Sequence, residues 1–94
     1  MEIAKADIVQ SEAGRDKGKL FFVLDTEGEF LLLADGKSRK VETPKRKKRR
    51  HVRFVATETM SVSEKITGEE KITNSELRRA LAVFRETDYP IQEG

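Results

Sequence analysis

The chain has 94 residues, with 19 Lys and Arg against 17 Asp and Glu, so its formal net charge is only +2. It contains no Cys, which excludes disulfides and thiolate metal sites and favours a cytoplasmic protein. Its longest apolar runs have five residues, against the roughly 20 that a membrane-spanning helix needs, and the N-terminus lacks the pattern of a signal peptide. We therefore expect one small domain and no membrane association.

Residues 1–57 are predicted to form a small β domain. Short apolar or β-branched stretches alternate there with turns that contain Gly or Asp. The predicted strands are residues 7–11, 20–25, 30–34, 38–42 and 51–57. In the last of these, period-two alternation places Val52, Phe54 and Ala56 on one face and His51, Arg53 and Val55 on the other. This spacing is typical of a small antiparallel barrel of about five strands.

The C-terminal part is predicted to be a connector followed by a helix. Residues 58–73 are polar and are interpreted as a connector with one short helical turn, and residues 74–87 as an α-helix that Pro90 ends. Thr73 and Glu76 have capping-box spacing, although Asn74 and Ser75 are alternative caps. One apolar stripe follows helical spacing, and we expect it to pack against the barrel more readily than to bind a partner: Leu77, Ala80, Leu81 and Phe84.

Positive charge is concentrated in one segment. Residues 37–53 hold ten Lys and Arg and one Glu, a net charge of +9, whereas residues 58–94 carry −3. The six consecutive cations at 45–50 repel one another in a compact state, so we expect a mobile loop or an interaction tail that attracts a polyanion. A nuclear localisation signal is an alternative. An anionic membrane is less favoured, because no basic amphipathic helix accompanies the run.

A second feature precedes that segment. Residues 8–24, IVQSEAGRDKGKLFFVL, place Gly14, Lys17 and Gly18 in a loop between two apolar strands. This pattern resembles the KOW motif of transcription factors and large-subunit ribosomal proteins. The continuation at 34–52 and the segment ITNSELRRAL at 72–81 are similar to a narrower group, the KOW proteins related to ribosomal protein fourteen of the archaeal and eukaryotic large subunit and their small bacterial relatives.

The resemblance implies an SH3-like barrel whose first loop and basic edge contact RNA, in a ribosome- or translation-associated role. The expected partners are RNA, ribosomal RNA above all, and the large ribosomal subunit. Because the Phe residues look committed to the core, we expect recognition of RNA shape and backbone rather than of bases. The predicted RNA-binding residues are Gly14, Arg15, Lys17, Gly18, Lys19, Lys37, Arg39, Lys40, Lys45, Arg46, Lys47, Lys48, Arg49, Arg50, His51 and Arg53.

An enzyme is not expected. The single histidine, His51, has no Cys or nearby carboxylate to act with, and GRDKGK is one residue shorter than a nucleotide-binding P-loop. We predict no catalytic residue, metal, cofactor or small-molecule substrate. Two alternatives remain open. On composition alone the loop at 13–19 is equally typical of a simple hairpin connection, although its flanking strands favour the KOW motif. The chain as a whole also fits a KOW-type module that binds a protein of the transcription or translation machinery through its acidic C-terminal segment and helix.

Overall fold

The fold is mainly β, with two helices at its C-terminal end. The computed structural model describes residues 2–57 and 61–87. A 3₁₀ turn, Arg49–His51, separates the last two strands. The strands are β1 Asp7–Ser11, β2 Leu20–Glu27, β3 Phe30–Ala34, β4 Lys45–Lys48 and β5 Val52–Thr57, and the helices are α1 Ser61–Thr67 and α2 Asn74–Thr87.

The five strands form one curved antiparallel sheet in the order β4-β3-β2-β1-β5. Its two outer strands, β4 and β5, are connected by the three-residue turn Arg49–His51. In a flat five-stranded sheet the outer strands would lie roughly 19 Å apart, which is more than such a turn can span. The sheet therefore curls on itself, and the predicted mainly β fold, a small antiparallel barrel of about five strands with a C-terminal helix, is confirmed.

Two apolar clusters lie on opposite sides of this sheet. Successive side chains of a strand point to opposite faces, so the adjacent Phe21 and Phe22 enter different clusters. This explains why residues 20–24 of β2 form a continuous apolar run. The inner cluster contains Val9, Phe21, Val23, Leu31, Leu33 and Val52. The helix-side cluster combines residues of β1, β2 and β3 with both helices, among them Ile8, Leu20, Phe22, Ala34, Val62, Ile66, Leu77, Leu81 and Phe84.

The C-terminal helix packs as the sequence predicts. Its apolar stripe of Leu77, Ala80, Leu81 and Phe84 is buried in the helix-side cluster. The capping box forms at its N-terminus: the Thr73 amide donates to Glu76 Oε1 at 2.9 Å, and the Glu76 amide donates to Thr73 Oγ1 at 3.1 Å. Neither helix within the described ranges is long and apolar enough to cross a membrane. Residues 58–60 of the predicted connector, and Pro90, lie outside the described residues.

The basic segment differs from the prediction. Residues 38–42 form no strand, whereas Lys45–Lys48, predicted to be a mobile loop or tail, form β4. The backbone pairing of Phe30 with Lys48 and of Leu33 with Lys45 holds this strand on β3, so its charged side chains do not prevent strand formation.

The alternation predicted for β5 is also wrong. The register with β1 shifts between Ile8, which pairs with Ala56, and Val9, which pairs with Phe54. This irregularity leaves Val55 without a directly opposed residue and breaks the period of two. Val52 therefore lies in the inner cluster, whereas Val55 and Ala56 pack against the helix-side cluster.

Candidate nucleic-acid interface

Three basic segments that are distant in sequence meet at one cleft. They are residues 12–19 between β1 and β2 (the first loop), residues 35–44 between β3 and β4 (the second loop), and the start of β4. The cleft has a volume of about 270 Å³, and we refer to it as the Asp16 cleft. Its lining comprises four cations, one carboxylate and one hydroxyl, from Arg15, Lys19, Arg39, Lys45, Asp16 and Ser38.

The first loop is a tight, hydrogen-bonded turn. The Gly18 amide donates to the Ser11 carbonyl at 2.8 Å, and the Lys19 amide donates to the Asp16 carbonyl at 2.9 Å. Gly14 and Gly18 have φ values of +82° and +92°, which side chains with a Cβ rarely adopt. These glycines therefore fix the path of the loop. The side chain of Lys19, the last residue of the loop, is exposed.

A buried ion pair fixes the centre of the cleft. Asp16 Oδ1 accepts hydrogen bonds from Ser11 Oγ at 2.7 Å and from Lys47 Nζ at 2.9 Å. Lys47 Nζ also donates to the Ala13 carbonyl at 2.7 Å. Burial alone raises the pKa of Asp16, but the hydrogen bonds from Ser11 and Lys47 and the charges of Lys47 and Lys45 outweigh it and lower the pKa to about 2. Because Lys47 matches the charge of Asp16, the cations around the cleft keep their excess positive charge.

The second loop is held by its own aspartate. Asp35 Oδ1 accepts hydrogen bonds from the amides of Lys37 at 2.9 Å and Arg39 at 2.8 Å, and its Oδ2 accepts one from Ser38 Oγ at 2.9 Å. Burial raises the pKa of Asp35, but these hydrogen bonds outweigh it, and the net pKa is lowered. The loop is thus ordered while Lys37, Arg39 and Lys40 are exposed.

Helix α2 supports the same loop from behind. Asn74 Oδ1 accepts a hydrogen bond from the Val41 amide at 2.8 Å, and Arg78 Nη1 donates to the Gly36 carbonyl at 2.6 Å. A Cβ on Gly36 would overlap the Asn74 carbonyl, so glycine allows this close approach. The sequence analysis missed Asn74 and Arg78 as positioning residues because their partners lie more than thirty positions away.

Two of the predicted RNA-binding cations make contacts that hold the fold together. Lys47 is only 8% exposed and is bonded to Asp16. Arg49 donates from Nε to the Gly28 carbonyl at 2.7 Å and from Nη1 to the Ile3 carbonyl at 2.8 Å, which ties the β2–β3 turn to the N-terminal segment. No signal in the KRKKRR run distinguishes these two from their neighbours.

The remaining predicted residues are accessible to different degrees. His51 is half-buried, and its carbonyl accepts a hydrogen bond from the Glu12 amide at 2.8 Å. Lys45 and Lys48 are half-buried, with Lys45 Nζ 3.5 Å from Asp16 Oδ2. The predicted cations that the structure leaves exposed are Arg15, Lys17, Lys19, Lys37, Arg39, Lys40, Arg46, Arg50 and Arg53.

Chemically, the Asp16 cleft is suited to an anion. Arg15 and Arg39 offer guanidinium groups that can bind phosphate with two parallel hydrogen bonds, and Lys19 and Lys45 act as point charges. The sequence matches no protein-family model and no curated protein. The assignment of a ligand therefore depends on the geometry and charge of this site.

Proposed function

We propose that this chain is a KOW-type protein that binds structured RNA through the Asp16 cleft, in a ribosome- or translation-associated role in the cytoplasm. The proposed target is ribosomal RNA of the large subunit. The observation that carries the proposal is the convergence of Arg15, Lys19, Arg39 and Lys45 from three separate segments on one cleft. Repulsion between like charges opposes such a cluster, and the binding of an anionic partner would offset that repulsion.

The electrostatics of the cleft support a polyanion rather than a single small anion. Lys47 already matches the charge of the Asp16 carboxylate, so the four lining cations give the site an excess positive charge, although Lys45 also lies 3.5 Å from Asp16 Oδ2. Exposed Lys37 and Lys40 extend the positive surface along the second loop, and Lys17 extends it along the first loop. Four phosphate contacts would make the affinity fall about a hundredfold between 50 and 200 mM salt.

The resemblance to KOW proteins supports RNA as the polyanion, because Gly14, Lys17 and Gly18 of that motif lie in the loop that forms the cleft. A protein-interaction module has less support. The apolar stripe of α2, which would be its most natural partner site, is buried against the sheet.

The test measures binding of a structured fragment of large-subunit ribosomal RNA by fluorescence anisotropy at 50 and 200 mM salt. The variant replaces Arg15, Lys19 and Arg39 with Gln and keeps Lys47 and Arg49, whose loss would disturb the fold. The matched control replaces Lys71, Arg79 and Arg85 with Gln, which removes the same charge from exposed positions before and on α2. We expect the cleft variant to bind at least tenfold more weakly at low salt and the control to bind within about twofold of the native chain.

Two results would contradict the proposal. Equal weakening in the cleft variant and the control would show that binding depends on overall charge and not on the Asp16 cleft. No binding of the native chain at 50 mM salt would exclude RNA as the ligand, and a protein partner would become the better hypothesis.

A further inference from the structure

The face of β4 opposite the Asp16 cleft carries an accessible aromatic ring. Residues paired across β3 and β4 share a face, so Lys47 lies on the side of buried Leu31, whereas Lys48 lies on the side of Phe30. The sequence analysis expected the Phe residues to lie in the core, and Phe21, Phe22 and Phe84 do, whereas Phe30 and Phe54 are only half-buried. Phe30 is half-buried and belongs to neither of the apolar clusters found among the described residues.

Arg46 covers this ring. Its guanidinium carbon lies 3.7 Å from the centroid of Phe30, a distance at which the flat guanidinium group is in contact with the ring. Lys48 Nζ is farther away, at 5.9 Å. Arg46 Nε also donates a hydrogen bond to Glu27 Oε1 at 3.1 Å. The Phe30 ring below the Arg46 guanidinium and the Glu27 carboxylate beside it therefore hold this group in place.

The outer side of this guanidinium faces solvent, since the Arg46 side chain remains 57% exposed. Its charge is already offset by Glu27, which makes it a weaker phosphate ligand than the cations of the Asp16 cleft. Its flat surface, however, is open and preorganised. Bases that are not paired in RNA stack on arginine planes and on aromatic rings, and this stacking does not depend on free charge.

We propose that an unpaired RNA base stacks on the outer face of Arg46, with Phe30 beneath it as support. This inference rests on the proposed RNA-binding function and adds to it a preference for RNA that presents a bulged or unpaired base. The cleft would bind the backbone, and the Arg46–Phe30 pair would bind a base that leaves the helix. Because Phe30 and Glu27 already hold the Arg46 side chain before RNA binds, little side-chain conformational entropy is lost when the base stacks.

The experiment compares two RNA hairpins that differ only in a single bulged 2-aminopurine. The test variant is Arg46→Lys, which keeps the charge and removes the flat group. The matched control is Arg53→Lys, because the Arg53 side chain is equally exposed at 57% and is likewise paired with a glutamate, Glu12 at 3.4 Å. Among the described residues, aromatic rings are covered by Arg46 and Lys48 and not by Arg53.

We expect the native chain to bind the bulged hairpin about tenfold more tightly than the paired one and to change the 2-aminopurine fluorescence. Arg46→Lys should abolish both the preference and the fluorescence change, while its affinity for the paired hairpin stays within about twofold. Arg53→Lys should retain both. A Phe30→Leu variant, which keeps Arg46 but removes the ring beneath it, should also reduce the preference for the bulged hairpin.

Different failures point to different proposals. If the native chain binds both hairpins equally, or if Arg46→Lys and Arg53→Lys weaken both hairpins alike, the stacking inference is wrong and the RNA-binding proposal stands. If the native chain binds neither hairpin at low salt, both proposals are wrong.

Discussion

Lys47 joins β4 to the first loop through its ammonium group, which lies 2.9 Å from Asp16 Oδ1 although the two residues are 31 positions apart in sequence. Both side chains are almost fully buried, with 8% of Lys47 and 11% of Asp16 exposed. A residue in the middle of a basic run thus acts as an internal tie. It holds the two segments that carry Arg15 and Lys45 in the positions that form the Asp16 cleft.

Replacing Lys47 with Met is expected to destabilise the fold. The substitution removes the closest ion-pair partner of the buried Asp16 carboxylate and leaves only Lys45, at 3.5 Å, which costs about 3 kcal/mol in free energy of unfolding. Urea denaturation followed by circular dichroism measures this change. The control is Lys48→Met on the same strand, at a half-buried position, where we expect a change below about 1 kcal/mol. Similar values for the two variants would refute the structural role of Lys47.

The Asp16 carboxyl should make stability fall in acid. Its pKa is about 2 in the folded chain, against 3.8 for the free side chain, so the unfolded state binds the proton more tightly. The resulting stabilisation, about 2 kcal/mol, is present above about pH 4 and is lost as the pH falls toward 2. Urea denaturation of the native chain and of Asp16→Asn between pH 6 and pH 2 tests this. The difference in unfolding free energy between them should shrink on acidification, and a constant difference would contradict the assignment.

Gly36→Ala should loosen the contact between the second loop and α2. The residue has a φ of +78°, and the new Cβ would overlap the Asn74 carbonyl. Strain and overlap together are expected to cost at least about 2 kcal/mol. Gly28→Ala is the matched control, because Gly28 also has a positive φ, +62°, but has open space where its Cβ would be. Thermal unfolding should separate the two variants, and an equal loss would mean that the backbone angle alone matters.

Leu77→Ala tests whether α2 is an integral part of the fold. Leu77 is fully buried in the helix-side cluster, so its truncation should lower the free energy of unfolding by about 2 to 5 kcal/mol. Val83→Ala on the same helix, where 44% of the side chain is exposed, should cost less than about 1 kcal/mol. Chemical denaturation gives both values. A small effect of Leu77→Ala would indicate that the helix is dispensable for the barrel.

Much of the fold could be predicted because local sequence and tertiary structure agree. β1 and β3 have the predicted bounds, and α2 begins after its capping box and buries the predicted apolar stripe. In α2 the helical period of apolar residues matches the face that is buried, whereas β1 and β3 contribute apolar residues to both clusters.

The parts that were missed depend on contacts between distant residues. β4 has the sequence KRKK, which contains no apolar alternation, and only its backbone pairing with β3 makes it a strand. Residues 38–42 were predicted to be a strand but form part of the second loop, because the side chains of Asp35 and Asn74 accept hydrogen bonds from the loop amides of Arg39 and Val41. The same holds within the candidate site. The first loop, the second loop and β4 were each predicted to bind RNA, but their meeting at Asp16 could not be inferred from any one segment.

The position of β4 at the border of the sheet gives its charges a further consequence. Among the residues that the structure describes, no strand pairs with its backbone groups on the side away from β3, and such a border can accept a strand from another molecule. The cations of β4 other than Lys47, whose charge Asp16 matches, make two copies of the chain repel each other at the point where they could otherwise join into a continuous intermolecular sheet. Neutralising these charges by mutation would therefore expose the chain to self-association.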